Sequence, residues 1–397
     1  MSSRTQPVKI LIPDAHDPLM WGVLSCFSDI SNIKLYVMSE LEYIPIRYSR
    51  YINKFYYSPP FDETLDWINR INDLVLKHQI DVVFPLFVTA IRNLIKFKNH
   101  LIKPEAFLIP DSLEHYDIAN NKGLLADCIK ELDLPRPKHW HIDKSEPLKN
   151  LDDINVFPIL LKPTLDSGAG RGIVKFNDKN ALVSYLEETE LNTPHFLQES
   201  IDGYDMGCHL LCKEGEILAV AMQEGFLFSK KPFTPQAGMN MIFEDAVFEQ
   251  AKKLMKALNW SGLADLDLRY DNKSGTFMII EINPRAWITI LGPNTAGVNF
   301  PWLYCKAVIG EKFDIPEFSR SPYYNRLGLR LALAKNPLML FRLNILWRYT
   351  PIKYQLKDPI LSVLEFFWIL KKIMTEKFGR PKTYANKSVS TGVTPLS

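Results

Sequence analysis

Two strand-like runs concentrate groups that can do chemistry. Asp265 and Asp267 sit two apart, so both side chains leave the same face of a strand. After a turn, Phe277–Arg285 brings Glu281, Asn283 and Arg285 onto one face, with Ile280 and Ile282 between them suited to a core. Carboxylates and an amide on adjoining strands form an all-oxygen set for a hard divalent cation such as Mg²⁺. An arginine beside them offers a planar fork to phosphate or carboxylate. A solvated strand face with cross-strand ion pairs has the same pattern, so this segment alone leaves both readings open.

Two more pieces precede it. Lys162 ends an apolar run, Phe157–Lys162, and a glycine-rich turn follows, Asp166-Ser167-Gly168-Ala169-Gly170-Arg171-Gly172. A lysine there can reach phosphate oxygens, and the glycines let backbone N–H groups approach an anion. The spacing is not that of a P-loop, and a plain hairpin also fits. The third piece is Gln198-Glu199-Ser200-Ile201-Asp202-Gly203-Tyr204-Asp205, a polar link between two strands. It can present backbone groups to a base and Asp205 to a ribose; as a simple hairpin connection it needs no ligand.

The elements that must position these groups follow from periodicity. Residues 8–13, 33–38, 81–86 and 107–109 read as strands; 18–27, 62–78 and 88–98 read as helices. That alternation indicates a mainly parallel α/β layer, and without G-x-G-x-x-G after the first strand it is not a usual dinucleotide site. From residue 111 the texture changes: a helix at 120–132, strands at 157–162 and 173–176, strand pairs at 206–222 and 264–282, and a helix at 244–258. The stretch after 316 is punctuated by proline until a helix-like 360–377.

In this order the pieces resemble the ATP-grasp superfamily, which includes D-alanine–D-alanine ligase, biotin carboxylase and the carbamoyl-phosphate synthase large subunit. The carrying residues are Asn121-Lys122, Phe157–Pro163 with the glycine loop, Gln198-Glu199-x-Ile201-x-Gly203-x-Asp205, and Asp267 with Glu281-Ile282-Asn283-Pro284-Arg285. The resemblance covers about residues 111–310. Within the superfamily, Glu281–Trp287 and Ala296–Pro301 are similar to a group of bacterial carboxylate–amine ligases. It implies an α/β and α+β chain: a pre-ATP-grasp domain over 1–110, an ATP-grasp domain over 111–315 (small lobe about 111–197, large lobe about 198–315) and an extension over 316–397.

The resemblance also implies roles. Lys122 and Lys162 would hold ATP phosphates, with Ser167, Gly168, Gly170 and Gly172 closing over them. Gln198, Glu199 and Ile201 would line the adenine, and Asp205 would hold the ribose. Asp267, Glu281 and Asn283 would bind Mg²⁺, or Mn²⁺ in its place, and Arg285 would steady a carboxylate or acyl phosphate. The implied reaction activates a small carboxylate with ATP and joins it to an amine or similar nucleophile. An ATP-grasp kinase or carboxylase is the alternative within the superfamily, and a non-catalytic nucleotide binder is the alternative outside it. Three positions depart from the pattern. Asp205 stands for the usual glutamate, and Asn121 precedes Lys122 where an acid is usual. The stretch between Asp267 and Glu281 is about one residue longer than the family's pattern, which makes Asp265 a rival to Asp267.

Composition sets bounds on partners. The 397 residues are 47% hydrophobic and carry a net charge of +2, ordinary for a globular chain and unlike a nucleic-acid binder. The balance is uneven: residues 321–397 hold 13 Lys/Arg and 3 Asp/Glu, leaving 34 and 42 before them. The five cysteines are scattered, an odd set that reads as buried free thiols in a reducing cytoplasm. The run 360–370 is nearly all apolar and is followed by Lys371, Lys372, Lys377, Arg380 and Lys382. It reads either as a helix packed on the body or as peripheral membrane contact through 360–382. The sequence sets no oligomeric state.

Overall fold

The computed structural model describes residues 6–16, 19–149, 151–165, 170–229 and 236–378. The N-terminal part holds β1 (Val8–Ile12), α1 (Leu19–Phe27), β2 (Ile33–Ser39), β3 (Ile52–Tyr57), α2 (Thr64–His78), β4 (Val82–Val83) and α3 (Val88–Lys96). Its parallel sheet has the order β3-β2-β1-β4. Strand β4 is shorter than the expected 81–86. The Asp14 carboxylate accepts from the Leu86 and Phe87 amides at 3.0 and 2.8 Å, drawing the chain off the ladder. Residues 107–109 form no strand, because the Leu108 amide donates to the Tyr304 hydroxyl at 2.9 Å.

Two helices then meet end to end, α4 (Leu113–Asn120) and α5 (Lys122–Glu131). The expected helix over 120–132 is α5; α4 before it was not expected, and a cap separates the two. Asn121 turns out of α4, and its side chain accepts from the Gly123 and Leu124 amides, starting α5. An antiparallel sheet follows, of β5 (His139–Ile142), β6 (Ile159–Pro163), β7 (Val174–Phe176) and β8 (His195–Glu199), in the order β5-β8-β6-β7. One face, with Trp140, Ile159, Leu161 and Leu197, packs on Leu182 and Leu186 of α6 (Lys179–Glu188). Strand alternation sends His139, His141, Lys162 and Gln198 to the other face.

The large sheet contains β9 (Gly203–Lys213), β10 (Glu216–Leu227), β11 (Gly238–Ile242), β12 (Gly262–Asp271), β13 (Thr276–Asn283) and β14 (Pro322–Tyr324), in the order β13-β12-β9-β10-β11-β14. On one side Cys208, Leu210 and Leu266 pack on Ala251 and Leu254 of α7 (Asp245–Ala257). On the other, Leu211, Ala221 and Met241 share a core with β1, α1, α8 (Leu291–Ala296) and α9 (Phe300–Val308). That core continues to Tyr354 and Leu361, so the C-terminal helices join it. These are α10 (Arg326–Lys335), α11 (Leu343–Tyr349), α12 (Ile352–Lys357) and α13 (Pro359–Phe378). Among the described residues no helix is long and apolar enough to cross a membrane. Four of the five free cysteines are buried, and Cys128 is partly so.

Candidate active site

The site is built on rows that cross the large sheet. Strand register aligns Gln223, Gly207, Asp267 and Glu281 in one row. The next row is Ala221, His209, Asp265 and Asn283, and a third sets Asp205 against Arg269. Members of one row share a face about 5 Å apart, so the charged and amide heads of these three rows lie on one face of the sheet.

The extra residue in the β12–β13 turn region is absorbed at a bulge. Leu268 lies opposite Ile279, so Ile280 is the added residue and Asp267 stays opposite Glu281. Asp265 is held elsewhere: its Oδ1 is 2.8 Å from Nδ1 of buried His209, whose ring lies face to face with Trp287 at 4.5 Å. Asn283 Nδ2 donates to Asp267 Oδ2 at 3.0 Å, and Arg285 Nη2 donates to Asn283 Oδ1 at 3.0 Å. Asp267, Glu281, Asn283 and Arg285 therefore form one connected chain.

Two lysines reach these groups, Lys122 from the first turn of α5 and Lys162 from β6. The Lys122 amide donates to the Thr164 carbonyl at 2.8 Å, pinning the start of α5 beside the end of β6. Lys122 Nζ then lies 2.7 Å from Glu281 Oε2. Lys162, buried at 6% exposure, donates to Gln198 Oε1 at 2.7 Å. Burial pushes its ammonium down to about 8, against the pull of Glu281. Burial, with Asp265 and Glu281 beside it, raises the Asp267 carboxyl well above the usual range. Burial also pushes Glu281 up, but Lys122 and Lys162 outweigh it and hold that carboxyl below its ordinary value. Two adjacent buried acids with unequal proton affinity are a donor set short of one cation, which fits a hard metal.

The polar link is clamped by a residue that sequence reasoning passed over. Arg269 ion-pairs with Asp205, and donates to the Ile201 and Gly203 carbonyls at 2.8 Å each. Glu199 is tied to residue 138: its amide donates to the Lys138 carbonyl at 2.8 Å, and its Oε2 accepts from the Lys138 amide at 3.2 Å. Ile201 is buried. Gly170 and Gly172 have φ of 69° and 77°, the left-handed region glycine favours. Ser167 and Gly168 lie outside the described residues, as do residues 230–235.

Period two would have found Arg269, since it continues Asp265-x-Asp267 on the same strand, and His209, since it continues Asp205-x-Gly207. No local signal pointed to Asp14 or His16. They lie past β1, where the sheet order reverses between β1 and β4, and His16 stacks on Phe87 at 4.7 Å. Burial pushes Asp14 up to about 7. Tyr116 links this edge to the site, its hydroxyl within 3.2 Å of the Val88 carbonyl and 3.3 Å of the Pro284 carbonyl. Outside the cleft, Asp127 of α5 receives His139 and His141 of β5 at 2.9 and 2.8 Å, a tether between helix and sheet.

With this geometry established, comparison with known proteins is informative. Residues 119–289 match the family model described as the ATP-grasp domain. The carbamoyl phosphate synthase large chain of Caldanaerobacter subterraneus is 24% identical over 55% of this chain and 21% of its own length. The match thus spans about a fifth of that relative. Among solved structures, N5-carboxyaminoimidazole synthetase from Staphylococcus aureus complexed with ADP aligns at TM-score 0.65 and 14% identity, covering 84% of this chain and 86% of that one. An L-amino acid ligase from Bacillus licheniformis aligns at 0.55 and 18%, covering 77% and 75%. At these identities the structural likeness speaks for the fold.

Proposed function

We propose, from the match of residues 119–289 to the ATP-grasp domain, that the chain is an ATP- and Mg²⁺-dependent ligase joining a carboxylate to an amine. The observation that carries this reading is the convergence of Lys122 and Lys162 on Asp267 and Glu281. Two cations from one lobe facing two acids from the other is the arrangement that a metal–polyphosphate needs from both sides.

Asp267 and Glu281 are the metal acids in this reading, and Asp265, itself held by His209, is a support that accepts from the Asn283 amide. Asn283 would be the third ligand through its amide oxygen, which Arg285 holds in the free protein. Bound Mg²⁺ would supply Lewis-acid neutralisation of the phosphate oxygens. Lys122 and Lys162 hold the same oxygens from the other lobe, and Gly170 and Gly172 lie in the loop that covers them. The adenine rests on the Gln198–Ile201 link, and Asp205 takes a ribose hydroxyl with the oxygen that Arg269 leaves to it.

The substrate carboxylate oxygen bonds to the γ-phosphorus as the bond to the bridging oxygen breaks, and ADP leaves. Arg285 neutralises the acyl phosphate. The amine nitrogen then attacks the acyl carbon, phosphate departs with the bonding pair, and the amine loses a proton. Positioning and charge neutralisation carry most of the rate.

The test is a screen of purified protein for ADP release with pairs of small carboxylates and amino acids. ADP release that needs both a carboxylate and an amine, with an amide product by mass, supports the reading. ADP release that needs bicarbonate and no second acid makes the chain a carboxylase. Absence of ATP–Mg²⁺ binding by calorimetry overturns it altogether.

A further inference from the structure

The C-terminal extension turns most of its apolar surface outward. Each of its last four elements buries one apolar side chain against the body: Met339 from the 3₁₀ turn Pro337–Phe341, Leu346 from α11, Tyr354 from α12 and Leu361 from α13. The larger residues point away. Phe341 is 82% exposed, Leu343 72%, and Trp347, Ile360, Phe366 and Phe367 are each half exposed or more. Monomeric proteins rarely leave so many large apolar groups together in water.

The charges around them have one sign. In residues 322–371 the acids are Asp358 and Glu365, and neither is exposed. Asp358 is buried against Ser49 and the Arg50 amide, and Glu365 pairs with Arg326 at 2.6 Å. Lys353 and Lys357 pair with Asp29. Arg330, Lys335, Arg342, Arg348 and Lys371 are exposed. Surface aromatics flanked only by cations match a lipid boundary with anionic headgroups. A second copy would set these arginines against their own counterparts, which like charge opposes.

We propose that this face, formed by the 3₁₀ turn, α11, α12 and α13, is a docking surface for an anionic lipid bilayer, on which the chain lies without crossing. The aromatic and aliphatic side chains enter the headgroup boundary, and the arginines meet lipid phosphate. This goes beyond the ligase reading and does not depend on it.

The test uses the full chain and vesicles of phosphatidylcholine with and without phosphatidylglycerol. Cosedimentation with the anionic vesicles at low salt, weakening as salt rises, is expected. The triple variant Phe341→Ser, Phe366→Ser, Phe367→Ser should stay in the supernatant, with its melting temperature and ATP affinity unchanged. Should it fail to fold, Arg342→Ala with Arg348→Ala serves instead, and its partition should fall roughly 25-fold, at about fivefold per basic residue. Full-length protein left in the supernatant, or equal binding to both vesicle types, would overturn the proposal. So would a concentration-dependent dimer in sedimentation velocity that the same variant abolishes while no vesicle binds.

Discussion

Lys122 Nζ and Glu281 Oε2 are 2.7 Å apart, although one begins a small-lobe helix and the other sits near the end of a large-sheet strand. Nothing local brings them together. The Asn121 cap and the Lys122–Thr164 backbone bond aim the lysine, and the Asp267–Glu281 register aims the acid. Without nucleotide the pair closes the charge balance across the cleft. With ATP–Mg²⁺ in place each would exchange its partner, the lysine for phosphate and the acid for metal.

The first prediction follows from that exchange. Glu281→Gln and Asp267→Asn should each lower ATP turnover by about 10²–10³, the loss typical when one preorganised electrostatic group is removed. Asp265→Asn should behave otherwise. Its carboxylate serves buried His209, so melting temperature should fall with a smaller loss of rate. Steady-state ADP release beside thermal melts separates them. If Asp265→Asn is the dead, well-folded variant, the two acids have been assigned the wrong way round.

A second expectation concerns pH. In the free protein Lys162 titrates at about 8 because it is buried. Phosphate binding favours its charged form and raises that value. ATP affinity should therefore be flat in this group below about 8 and fall as pH rises past it, with proton uptake on binding. Folding has the opposite sign: the folded value lies below the unfolded one of roughly 10.4, so this group's contribution to stability rises as pH climbs from about 8 toward that value, while ATP affinity falls. Lys162→Ala should bind ATP roughly 10- to 150-fold more weakly, from the 1.5–3 kcal/mol of a charged hydrogen bond, and lose the alkaline decline. Calorimetry at pH 7 and 9 in two buffers reads both effects. An unchanged slope in the variant would assign the decline to another group.

The fold class was legible because long alternating runs survive folding. β1 and most of the buried positions of β9, β10 and β12 are apolar, and α2 keeps a clean inner stripe. What escaped was short or decided at a distance. β3 reads INKFYY, half-buried at a sheet edge, with no alternation to mark it. β4 stays short because Pro85 has no amide to donate and the Leu86 amide goes to Asp14, 72 residues earlier. Asp267, Glu281 and Lys162 were readable from strand parity and turn chemistry, and Lys122 only from the family resemblance. The Arg269 clamp and the Asp265–His209 bond needed the pairing of β9 with β12, which no single strand contains.

That clamp gives a third prediction. Asp205 can act on ribose itself or only through Arg269, which holds the Ile201 and Gly203 carbonyls. If it touches ribose, Asp205→Ala should weaken ATP about tenfold while costing a deoxyribose analogue less, because one hydrogen bond is already gone. Arg269→Met should weaken both nucleotides alike, since it loosens the whole link. Equal losses for both nucleotides in Asp205→Ala would remove Asp205 from the ribose contact.

The final prediction contrasts two glycines of β9. A Cβ on Gly203 would sit 1.7 Å from the Tyr270 carbonyl oxygen, a rigid backbone atom. Gly203→Ala must therefore push the link off β12, at a cost near or above the roughly 3 kcal/mol upper range of overpacking, and should be visible as a large drop in melting temperature. A Cβ on Gly207 would meet Gln223 Cγ at 3.2 Å and His209 Cε1 at 3.3 Å. The Gln223 side chain can give way, so Gly207→Ala should fold nearly as well. Yet Gly207 lies between Gln223 and Asp267 in the row that faces the cleft, and the methyl group narrows the floor beneath the reacting phosphate. Its turnover should fall at least tenfold with melting temperature within a few degrees. A Gly207→Ala protein that melts early and retains its rate would make that glycine a packing residue and move the floor of the site elsewhere.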